Sequence, residues 1–73
     1  MMSVLSIQQD LIDDLRLGGG KKYEMMSHDQ IMNLTLPMAE KAFKVQLELI
    51  EIGIHYEMAE SEAVREVLLN HFR

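Results

Sequence analysis

The sequence predicts a mainly helical chain with one short β-strand, paired with the same strand of a second copy in a homodimer and extended by an N-terminal helix. Three observations predict this. Apolar residues recur at spacings of three and four over most of the chain, the mark of helices with one buried face. Residues 31–36 break that rhythm and alternate with period two, directly before the single proline. Finally, 73 residues without a cysteine are too few to bury a large core alone and have no disulfide or thiolate metal site to help, so self-association is expected.

Taken in order, Ser3 to Leu17 reads as a helix. Val4, Ile7, Leu11 and Leu15 share one face, while Asp10, Asp13 and Asp14 lie on the wet side. Ser3, or Ser6 with Gln9 three residues on, supplies the N-cap. Three glycines, Gly18 to Gly20, end the helix, and Lys21 and Lys22 follow on a mobile arm. Residues 23–29 read either way, although Ser27 with Gln30 has the spacing of a capping box. Residues 1–29 therefore form an N-terminal helix and a Gly/Lys-containing arm, and residues 30–73 form the main domain.

The strand comes next. Met32, Leu34 and Leu36 would face inward, with Ile31, Asn33 and Thr35 outward. Leu36 precedes Pro37, which pushes it toward extended geometry, and Pro37 suits the first turn of a helix. Met38 to about Ile52 is the first long helix, with Ala39, Phe43, Gln46 or Leu47, and Ile50 on its apolar stripe and Gly53 as its stop. The last helix runs to Phe72 and buries Ala63, Val64, Val67, Leu68 and Phe72. Its start lies at His55, which would include Tyr56 and Ala59, or else at Ser61. A lone strand leaves backbone donors and acceptors unpaired, and no second strand is on offer unless residues 2–7 supply one. The same strand from a second molecule, antiparallel about a two-fold axis, repairs the deficit. The dimer core would then comprise Met32, Leu34, Leu36, Phe43, Ile50, Val64, Val67 and Leu68. A bundle without any ribbon, in which residues 27–36 are helical, is the competing architecture.

The run Met32-Asn33-Leu34-Thr35-Leu36-Pro37, then Gly53-Ile54, then Ser61 to Leu68 resembles the ribbon-helix-helix superfamily of Arc, MetJ and CopG repressors. The resemblance covers residues 31–73. It implies a homodimeric, DNA-binding transcriptional regulator that inserts a two-stranded ribbon into the major groove of double-stranded DNA. By position Ile31, Asn33 and Thr35 match the outward ribbon residues; Asn bonds adenine bidentately and Thr reaches a base edge or a thymine methyl. Ser61 matches the N-terminal turn of the second helix, which holds a phosphate through backbone amides. Lys21 and Lys22 would grip phosphates beside the ribbon.

Charge favours a rival on the same scaffold. The formal net charge is −5, and Glu57, Glu60 and Glu62 crowd the place where a phosphate would sit. An acidic protein–protein interaction module, a co-regulator or anti-regulator, fits those features, and the N-terminal helix offers it a second way to recruit a protein. No phosphate loop, nucleophile pair or tight ligand spacing among His28, His55 and His71 points to catalysis, a cofactor or a metal. No apolar run reaches the roughly 18 residues of a membrane span, and no export signal opens the chain, so a cytoplasmic location is expected.

Overall fold

The structure, a computed structural model, describes residues 4–73. Among the described residues it contains four helices and no strand: α1 (Val4–Gly18), α2 (Lys21–Glu24), α3 (His28–Glu51) and α4 (Tyr56–His71). The expected start of the first helix at Ser3 lies outside the described residues. From Val4 onward α1 is helical, so residues 4–7 form no strand and Ser6 lies inside the helix rather than capping it.

The ribbon is overturned by α3. Ser27 and Gln30 form the capping box: the Gln30 amide donates to Ser27 Oγ at 3.2 Å and the Ser27 amide donates to Gln30 Oε1 at 2.9 Å. From that start the helix runs 24 residues without interruption, through residues 31–36 and through Pro37. Its buried residues are Ile31, Thr35, Ala39, Ala42 and Gln46, at steps of four, four, three and four. The alternation of Met32, Leu34 and Leu36 marks the two flanks of this stripe. Met32 and Leu36 lie one turn apart on one side, and Leu34 and Met38 on the other. The period-two signal is thus the edge pattern of a broad apolar helix face. Pro37 is tolerated because both it and Asn33, whose carbonyl loses its donor, are on the exposed side, where water can bond that oxygen.

The outer elements follow the sequence more closely. α1 buries Ile7, Gln8, Leu11, Ile12 and Leu15. It closes where the Gly19 amide donates to the Leu15 carbonyl at 2.8 Å. A Cβ on Gly19 would lie 2.5 Å from the Leu15 carbonyl oxygen and 2.7 Å from the Tyr23 ring, so this close approach needs glycine. The expected mobile arm is instead a single helical turn, α2, which tucks Tyr23 into the interior at 6 % exposure. At the far end of α3, Gly53 has φ 100°, the Ile54 amide donates to the Leu49 carbonyl and the Gly53 amide to the Ile50 carbonyl, which together make a Schellman stop. The early start of α4 is observed: His55 is its N-cap, with Nδ1 accepting from the Glu57 amide at 3.3 Å.

α1 and α4 lie side by side on α3, both antiparallel to it. Gln8 of α1 reaches Met32 and Thr35 of α3, Gln46 of α3 reaches Tyr56 of α4, and Ser6 of α1 reaches Glu60 of α4. One core cluster joins Ile7 and Leu11 to Ala39, Ala42, Ala63, Val64 and Val67. The small alanines of α3 and α4 allow those two helices to approach closely. A second cluster at the other end holds Ile12, Leu15, Tyr23 and Ile31. The molecule is elongated, 39 × 22 × 16 Å, its long axis matching the roughly 36 Å expected of a 24-residue helix.

Candidate interaction groove between the first and last helices

Beyond the contact of Ser6 with Glu60, a groove of about 520 Å³ lies between α1 and α4. Its α1 wall is Asp10, Asp13 and Asp14, spaced i, i+3, i+4 so that all three carboxylates project within one turn. Its α4 side is apolar at the base, with Val64 and Leu68, and its outer edge carries Ser61, Arg65 and Leu69. Val64 is almost buried, Leu68 half-buried, and Leu69 is 61 % exposed.

The electrostatics of the groove are negative. Arg65 turns along its own helix to Glu62, 3.7 Å away. Arg16, the basic residue of α1, donates to the carbonyls of Tyr23, Glu24 and Met26 and ties α2 down. Among the described residues no cation pairs with the three aspartates. Gln9 donates to Asp13 Oδ1 at 3.0 Å. At the closed end Glu60 has its pKa raised above the ordinary 4.5, first by burial and then by hydrogen bonding and repulsion with Asp10, against a lowering hydrogen bond from Ser6.

The residues expected to contact DNA are scattered. Ile31 and Thr35 are fully buried in α3 and cannot reach a base edge. Thr35 instead donates to the Ile31 carbonyl at 2.7 Å and accepts from Gln8 Nε2 at 3.1 Å. Asn33 is exposed on the outer face of α3, and Lys21 and Lys22 are exposed on α2. Ser61 lies six residues into α4, so its amide belongs to the helix ladder and is no phosphate-binding N-terminus. No face gathers these groups.

The expected dimer core is likewise redistributed. Val64 and Val67 are buried within one chain; Met32, Leu34, Phe43 and Leu68 are half-buried against its clusters; Ile50 is half-buried; Leu36 is 46 % exposed. The part of the dimer argument that came from an unpaired strand falls with the strand, since a helix satisfies its own backbone; the part that came from the small size of the chain does not depend on it.

Two contacts of Tyr23 lay outside the sequence reading: its hydroxyl lies 2.8 Å from His71 Nε2, and its ring meets Phe72 edge-on. Their signal was aromatic residues at opposite ends of the chain, which no local pattern pairs. Among the described residues no group of three or more His, Cys, Asp or Glu side chains is placed to hold a metal ion, and no helix is long and apolar enough to cross a membrane.

No family model, curated protein or solved structure matches the chain. The resemblance to ribbon-helix-helix repressors stands on sequence motifs alone, and the ribbon it implied is absent among the described residues.

Proposed function

We propose that this chain is a small, non-enzymatic protein-interaction module that binds another protein through the groove between α1 and α4. One observation carries this reading. The chain leaves a groove of about 520 Å³ lined by Val64, Leu68 and Leu69 beside three aspartates. Apolar surface rimmed by polar groups is the usual form of a protein contact site, and the aspartates disfavour a phosphate backbone there. Ribbon insertion into the major groove is not carried forward, because its strand is helix and two of its three reading residues are buried.

The test is a photo-crosslinking amino acid placed at Leu69, compared with the same group at Lys44 on the exposed face of α3. In the chain's native cells the groove position should give a discrete protein adduct that survives nuclease treatment, and the α3 position should not. Adducts to nucleic acid, or identical adducts from both positions, would contradict the proposal.

A further inference from the structure

We infer that the groove takes an amphipathic helix of a basic partner, one whose apolar anchors sit over Leu68 and Leu69 and whose arginine or lysine side chains, a turn apart, meet Asp10, Asp13 and Asp14. The inference rests on the reading of this groove as a protein-docking site and adds the chemistry of its occupant.

Arg16 is held by three backbone carbonyls of the α2 region, Arg65 by Glu62, and Lys22 lies 5.6 Å from the centre of the Tyr23 ring. Lys41 and Lys44 are on the exposed side of α3, away from α1 and α4. Among the described residues no ion pair joins the three carboxylates of the wall, at i, i+3 and i+4, to a cation, and Arg65 is the one basic residue lining the groove. A guanidinium on a partner helix matches one carboxylate bidentately, and the next basic residue of that helix, three or four positions on, falls at the same spacing as the next aspartate.

Geometry supports a helix as the occupant. α1 and α4 run in the same direction, and the base of the groove between them offers an apolar row at Val64 and Leu68, one turn apart, with Leu69 at its edge. A helix laid along it would present anchors at i and i+4 to that row. A second copy of this chain is disfavoured in the same place. It carries a net charge of −5, and the groove wall would repel it.

The experiment is a selection of the full chain against a displayed library of random amphipathic helices, followed by affinities for the enriched peptides. Two variants are compared. D10N/D13N/D14N removes the groove acids, and E24Q/E48Q/E51Q removes three exposed acids elsewhere, so both lose the same charge. Enriched peptides should carry basic residues at three- and four-residue spacing. They should shift the methyl resonances of Val64, Leu68 and Leu69, and bind the first variant about tenfold more weakly while binding the second nearly as well as the parent. Peptides without a basic excess, or an equal loss with both variants, would overturn the inference and leave the docking site standing. Enrichment of nothing, or displacement of these methyl shifts by a short DNA duplex, would overturn both.

Discussion

Thr35 carries a hydroxyl into a fully buried position, and its surroundings explain why the chain accepts it. The hydroxyl donates to the Ile31 carbonyl one turn back and accepts from Gln8 Nε2, which also donates to the Met32 carbonyl at 3.1 Å. These two side chains fix the register of α1 on α3. Thr35→Val keeps the shape but strands the Gln8 donor, so it should cost about 1–2 kcal/mol in denaturant unfolding; restoring the loss with Gln8→Leu in the same chain would show that the pair acts as a unit. Gln46 is less complete. Its Nε2 donates to the Tyr56 carbonyl at 3.3 Å, but its buried Oε1 has no partner. Gln46→Met should therefore be neutral or stabilising by up to about 1 kcal/mol, read from the same titration. Glu60 works in the opposite sense from a paired acid. Its folded-state pKa is raised, mainly by burial, so the stability it contributes is full below its unfolded value and is lost as the pH rises through the folded one. Glu60→Gln should raise the melting temperature slightly at pH 7, and that difference should vanish below the ordinary value of 4.5. A melting temperature that falls at pH 7 would reject the assignment.

At the scale of elements, α3 decides the architecture. Pro37 in its interior removes a donor and crowds the Asn33 carbonyl, so Pro37→Ala should stabilise the chain by about 1–3 kcal/mol. Were residues 31–36 a strand ending at Leu36-Pro37, the same change would weaken the helix start and give no gain. Much of this scale was legible. The α1 stripe of Val4, Ile7, Leu11 and Leu15, the Ser27–Gln30 capping box, the Gly53 stop and the His55 start all rest on local chemistry within four or five residues, and all are observed. What misled was a conflict between two local signals. The capping box pointed to a helix, while the alternation at 32, 34 and 36 with a following proline pointed to a strand. The conflict is settled by tertiary packing: a helix buries Ile31 and Thr35 against α1 and satisfies its backbone without a partner. The groove was illegible for a related reason. Asp10, Asp13 and Asp14 were visible as a wet face, but only the placing of α4 beside α1 puts Leu68 and Leu69 opposite them.

For the whole molecule, the consequence is a chain that builds its core without borrowing a strand. α1 supplies the second layer that a ribbon would have supplied. Its melting temperature should then stay constant over a roughly hundredfold dilution, whereas an obligate dimer would melt lower when dilute. The most direct test of the account is the set of backbone 13Cα chemical shifts of residues 31–36 in the free chain. Continuous helix predicts positive secondary shifts from Ile31 through Leu36, with helical contacts running on past Pro37. Negative shifts there, accompanied by cross-strand contacts between two labelled copies, would restore the ribbon and remove α3 and the groove with it.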